Sequence, residues 1–152
     1  ITIMSQPALY NISLKCFLHN SKWEVLILKT PETSSFYGMY DFPGGRIDED
    51  EFEIDYIEIL KRELCEEAWV ENIEIKKKVV AIARHKAEWK FTSKNIPEYL
   101  YYNFFEAFFL ENQEIKISHE HQDYLWVKLD EIKLEDYFYS WYLEAAKMYL
   151  NK

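Results

Sequence analysis

Residues 41–70 read DFPGGRIDEDEFEIDYIEILKRELCEEAWV and hold two of the chain's three glycines side by side. Glycine tolerates backbone angles that a side chain forbids, so Pro43-Gly44-Gly45 predicts a turn. Asp55 followed by Glu58 resembles a capping box that opens a helix. Ile57, Leu60, Leu64 and Ala68 then recur at helical spacing and form one apolar stripe, while Glu63, Glu66 and Glu67 fall together on a flank away from it. A helix with one apolar stripe has to bury that stripe against another layer. The rest of the chain must supply it.

Suitable partners lie on both sides. Residues 9–18 (LYNISLKCFL) and 23–29 (WEVLILK) read as strands flanking a turn at Asn20-Ser21, and residues 30–40 read as loop by their Pro, Ser and Thr content. Residues 77–84, 100–110 and 124–129 look like further strands, and 136–150 like a closing helix with apolar residues on more than one face. Strands and helices are interspersed, which predicts an α/β protein, a mixed sheet flanked by helices. No repeat, low-complexity tract or Gly/Ser linker divides the 152 residues, so one domain over 1–152 is expected.

Composition narrows the function classes. Almost half the residues are hydrophobic and 18% are aromatic, which excludes a disordered chain and supplies either a core or a homodimer interface. A formal charge of −9 argues against an extended nucleic-acid surface, although cations bridging like charges would still admit a nucleotide. Cys16 and Cys65 lack a CxxC spacing and read as free thiols of a reducing compartment. Residues 1–10 have neither a basic start nor a long apolar run, and no stretch is long enough to span a bilayer. A soluble cytoplasmic protein with no membrane contact is therefore expected.

Three carboxylates at i, i+3 and i+4 repel one another and weaken an isolated helix by about 0.2–0.5 kcal/mol per like-charged pair. A divalent cation among them reverses that sign, and magnesium favours oxygen ligands of this kind. Backbone bare of side chains at Gly44-Gly45 can approach a metal or phosphate closely. Taken alone, REL-x-EE is more readily the wet face of an amphipathic helix. The upstream residues change the balance.

Phe42-Pro43-Gly44-Gly45, then Glu51, then Arg62-Glu63-Leu64-Cys65-Glu66-Glu67 and Val70 resemble the Nudix box. WEVLILK before it and HEHQDYLWVKLDEI after it look like that family's flanking strands, so the likeness covers about residues 23–132. Two departures stand out. Ten residues instead of seven separate Glu51 from Arg62, an insertion a loop can absorb but one that puts the Glu51–Arg62 contact in question. Trp69 stands where the family has glycine; because a Trp in a left-handed cap is strained, the helix is expected to run on to about Asn72.

The resemblance implies a Nudix-type α/β/α sandwich and a metal-dependent hydrolase that cleaves a diphosphate linkage in a nucleoside diphosphate derivative or nucleoside triphosphate, using Mg2+ or Mn2+. A Nudix-fold nucleotide-binding regulatory module without hydrolysis is the alternative. It further implies that Glu63, Glu66, Glu67 and the Gly45 carbonyl hold the cation. Arg62 would orient a box carboxylate, with Glu51 its structural partner, and Glu66, Glu67 or the outlying Glu120 would take a proton from the attacking water. The partner implied is a small nucleotide-type substrate; its identity is not legible, since family members differ in loops outside the box. His119 and His121 flank Glu120, but with no accompanying Cys or His pair they read as solvated loop imidazoles. Trp89 and Phe91 are candidates for a substrate-facing loop, whereas the aromatics of YLYYNFF are expected in the core.

Overall fold

A computed structural model describes residues 4–34, 36–88 and 96–151. Strands β1 (Tyr10–His19) and β2 (Val25–Lys29) are joined through a turn in which the Asn20 side chain accepts hydrogen bonds from the Lys22 and Glu24 amides. Two short strands follow, β3 (Tyr40–Asp41) and β4 (Gly44–Arg46), and then helix α1 (Tyr56–Ala68). Strands β5 (Ile73–Ala87), β6 (Glu98–Phe109) and β7 (Asp123–Val127) precede the closing helix α2 (Ser140–Leu150).

The strands form one mixed sheet with the central order β3-β2-β1-β6-β5, β4 pairing with β1 and β7 with β2. β1 runs parallel to β6 from Tyr10↔Tyr99 to His19↔Phe108, and the other pairings are antiparallel. Period-two alternation sends the side chains of each strand to opposite faces. Leu14, Cys16 and Leu18 of β1 with Leu26 and Leu28 of β2 pack against Ile59, Leu60, Leu64 and Ala68 of α1. Phe17, Val25, Ile27, Tyr102 and Phe104 pack instead against Trp141, Tyr142, Ala145 and Ala146 of α2. The expected sandwich with a helix layer on each side of the sheet is thus observed; of the aromatics expected in the core, Tyr102, Phe104 and Phe105 are buried, whereas Tyr101 is half-buried and Tyr99 exposed. Burying Ile59, Leu60 and Leu64 contributes about 1.5–3 kcal/mol each, so packing rather than propensity holds α1 in place.

Strand β5 serves both faces. Ile73 and Ile75 face the α1 side, yet Ala81 and Ala83, of the same parity, face α2. The pairing with β6 slips between Ile75 and Val79 and again between Val79 and Ala81, which inserts three residues in all (Ile75↔Ala107, Ala81↔Phe104). An odd number of extra residues swaps the faces.

Several sequence expectations are corrected. The segment read as loop ends in β3, and the Pro-Gly-Gly segment continues from its bend into β4, where Gly44 and Gly45 pair with Lys15 and Leu14. Asp55 does cap α1, its carboxylate accepting from the Ile57 amide, but Glu58 pairs with Lys61 instead of closing a box. The reciprocal acid is Glu51, which accepts from the Asp48 amide at 2.9 Å one turn earlier. The closing helix starts at Ser140, not 136, because a single 3-10 turn at Leu134–Asp136 precedes it.

The end of α1 differs most. The helix stops at Ala68 and does not continue to Asn72; Trp69 adopts the left-handed conformation at φ 59°, ψ 33°. Continuation would consume the Glu67 and Ala68 carbonyls within the helix. Here they accept instead from the amides of Ser118 (2.9 Å) and Lys116 (3.1 Å). Lys116 also sets its ammonium 4.8 Å from the Trp69 ring centroid, a cation–π contact that offsets part of the roughly 1–2 kcal/mol of left-handed strain. Among the described residues no helix is long and apolar enough to cross a membrane. Cys16 and Cys65 are both free. Trp89 and Phe91 lie outside the described residues.

Candidate functional site

Helix α1 lies beneath β4, and its carboxylates meet the bare backbone there. The Gly44 amide donates to Glu67 Oε2 at 2.8 Å, and a Cβ placed on Gly45 would fall onto the Glu63 carboxylate. Gly44 itself has φ 136°, and a Cβ there would strike the Leu14 carbonyl oxygen. Glycine is required at both positions for different reasons: one passes under β1, and the other leaves room for an acid.

Arg62 gathers three carboxylates. Its Nη2 bonds Glu51 and lies 3.1 Å from Glu63, and its Nη1 donates to Glu66 at 3.1 Å. The three inserted residues are accommodated in the turn over residues 52–54, which leaves Glu51 beside α1. The Asp48 amide and then Arg62 hold the Glu51 carboxyl below the usual range.

Glu63, Glu66 and Glu67 line one depression of about 290 Å³ with Ser118, His119 and Glu120. Glu120 reaches it because residues 116–118 hydrogen-bond to the exposed C-terminal carbonyls of α1, so Trp69 and the early helix end are what bring the two segments together. Three of the four acids differ in surroundings. Glu67 is buried, and burial first, then Asp41, raise its carboxyl to about 7 against the opposing pull of Lys15 and the Gly44 amide. Burial also raises Glu63, with Arg62 acting in the other direction. Glu120 is exposed. Lys15, buried and donating to the Gly44 carbonyl at 3.1 Å, is pulled down by burial but raised overall by Asp41 and Glu67. It is the buried cation facing these acids, and sequence reading missed it because a lone Lys in an apolar strand carries no pattern.

His121 corrects a second expectation. Its side chain is only 6% exposed, and Nε2 sits 3.1 Å from an Asp41 oxygen. One of its ring nitrogens, a Glu67 oxygen and a Glu120 oxygen all lie within 4.8 Å of one another. His119 remains exposed, as read. A larger cleft of about 890 Å³ opens on the α2 side, lined by Arg46, Phe36, Leu100, Tyr102, Tyr139 and Trp141 among others. Arg46 directly follows Gly45 in β4, so the cleft and the acidic depression share that strand.

A NUDIX domain family model matches residues 9–147. No curated protein matches the chain. Among solved structures, the MutT protein from Methanosarcina mazei Go1 superposes with a TM-score of 0.72 at 22% identity, covering 97% of this chain and 95% of its own. The NUDIX domain of NrtR from Shewanella oneidensis, complexed with ADP ribose, gives 0.66 at 15% identity over 95% and 88%. An ADP-ribose pyrophosphatase from Streptococcus suis gives 0.58 at 18% identity over 92% and 87%.

Proposed function

The chain belongs to the NUDIX family, and from this premise we propose that it is a pyrophosphohydrolase of that type, cleaving a diphosphate linkage in a nucleotide derivative with the help of Mg2+ or Mn2+, as one cytoplasmic domain. The observation that carries the reading is the convergence of Glu63, Glu66, Glu67 and Glu120 on one depression, with Glu63 and Glu67 set against the Gly44-Gly45 backbone. Four acids at one place are unfavourable without positive charge, and a single buried Lys and one Arg already engaged by three carboxylates do not balance them. The residues therefore fit a divalent cation: hard oxygen donors, a glycine cradle that a Cβ would fill, and a buried imidazole nitrogen with no partner among the described residues.

Glu63, Glu66, Glu67 and the Gly45 carbonyl would hold the ion. When bound, it supplies positive charge to the phosphate oxygens and makes a water easier to deprotonate. Arg62 fixes the rotamers of Glu63 and Glu66 and is itself fixed by Glu51, so the acids meet the substrate in a set arrangement. Glu66, Glu67 or Glu120, all lining the depression, would accept the proton of the attacking water at a carboxylate oxygen. The cleft beside Arg46, with Phe36, Tyr102 and Trp141, offers a cation and aromatic faces to the nucleoside half.

The test is release of phosphate or pyrophosphate from a panel of nucleoside triphosphates, dinucleoside polyphosphates, nucleotide sugars and ADP-ribose, with and without Mg2+ or Mn2+. Turnover of at least one member that vanishes with chelator supports the reading. Tight binding without turnover of any member would establish the regulatory module instead.

A further inference from the structure

We infer that His121 supplies a nitrogen ligand to a cation held with Glu67 and Glu120, so that this part of the site prefers a first-row transition metal to Mg2+. The inference rests on the metal-dependent reading above but assigns a residue outside the box, on a segment tied to the end of α1 by main-chain hydrogen bonds and the Lys116–Trp69 contact.

Geometry and hydrogen-bond accounting carry it. Asp41 lies 3.1 and 3.3 Å from Nε2 through its two oxygens, and a carboxylate only accepts, so Nε2 bears the proton. A cation that displaces any second proton from the ring then meets a lone pair at Nδ1. That atom is buried and has no hydrogen-bond partner among the described residues, an arrangement that natural structures rarely leave unexplained. Beside the ring stand carboxylate oxygens of Glu67 and Glu120, within 4.8 Å of each other and of one of the ring's two nitrogens. A cation among them would satisfy the orphan nitrogen and offset the repulsion between the acids. Asp41 completes a carboxylate–histidine–metal relay that fixes both the tautomer and the ring orientation. Asp41 is in turn anchored in β3, paired with Leu28, so the imidazole is held by the sheet and not by its own loop.

The chemistry of the donors sets the preference. Mg2+ takes oxygen ligands in near-ideal octahedra and keeps its waters, whereas imidazole favours transition metals in the order Mn2+ < Fe2+ < Co2+ < Ni2+. One nitrogen and two carboxylates therefore bind Co2+ or Mn2+ more tightly than Mg2+.

Pulsed electron paramagnetic resonance on the chain loaded with Mn2+ alone tests this without recourse to activity. The expected result is a 14N coupling in the wild type that disappears in His121→Gln. Titration with Co2+ should show a loss of affinity of about tenfold or more in His121→Gln and in Asp41→Asn, with a much smaller change for Mg2+. The wild-type spectrum needs no variant to fold. Mn2+ bound without nitrogen coupling, or a coupling that survives His121→Gln, overturns the assignment while leaving a metal-dependent hydrolase intact. No Mn2+ uptake by the wild type, together with no turnover, overturns both.

Discussion

Substituting Glu67 by Gln separates the stability of the site from its use. Glu67 is 5% exposed, and burial with Asp41 nearby lifts its carboxyl from 4.5 to about 7. A folded-state value above the unfolded one means that the protonated form favours folding. That contribution is fully present below about pH 4.5 and is lost as pH rises through about 7. At pH 8 the ionised carboxylate therefore carries a penalty of about 3 kcal/mol in the metal-free protein. Gln mimics the protonated acid, and its carbonyl can still accept the Gly44 amide. The metal-free variant should be more stable than wild type at pH 8 by about 2–3 kcal/mol, or about 5–10 °C in Tm. The advantage should vanish near pH 4.5. Added Mn2+ should stabilise the wild type and not the variant, because a ligand stabilises only the state that binds it. Urea denaturation in EDTA, followed by tryptophan fluorescence at both pH values and repeated with Mn2+, measures all of this. A variant less stable than wild type at pH 8 without metal would refute the reasoning, since Lys15 would then be compensating the charge in full.

Glu66→Gln should lower turnover more than tenfold with unchanged circular dichroism, because Glu66 lies on the open side of the depression and buries nothing; wild-type activity would remove Glu66 from the cation site. Gly44→Ala should fail to fold or lose more than about 3 kcal/mol, since its Cβ meets the Leu14 main chain at a positive φ. Gly45→Ala should keep its Tm within a few degrees yet lose cation binding by calorimetry, because only the mobile end of Glu63 has to yield. Trp69→Val should be about 1–2 kcal/mol less stable than Trp69→Gly in urea, as a β-branched residue suits the left-handed cap least.

Much of the fold was written in local pattern. Residues 9–18 and 23–29 read as two strands about a turn from their apolar, strand-favouring runs, and the 3.6-residue stripe through Leu60 and Leu64 marked the helix that covers one face of them. The spacing from Gly45 to Glu67 likewise placed an acidic flank next to bare backbone, because that proximity arises within one bend and one helix. Short strands such as Tyr40–Asp41 and Gly44–Arg46 carry no period long enough to register, and only their partners β2 and β1 make them strands. The same holds at the helix end: propensity disfavours a left-handed Trp69, and hydrogen bonds from residues nearly fifty positions away override it.

The sequence by itself determined the layers and the row of carboxylates on α1, since both follow from the periods of strand and helix. Only the tertiary structure decided that Asp41, Lys15, Glu120 and His121 stand around Glu67. Those contacts join separate strands and a loop through main-chain pairings whose register no single segment encodes. A buried imidazole and a solvated one look identical until the sheet that shields one of them is assembled.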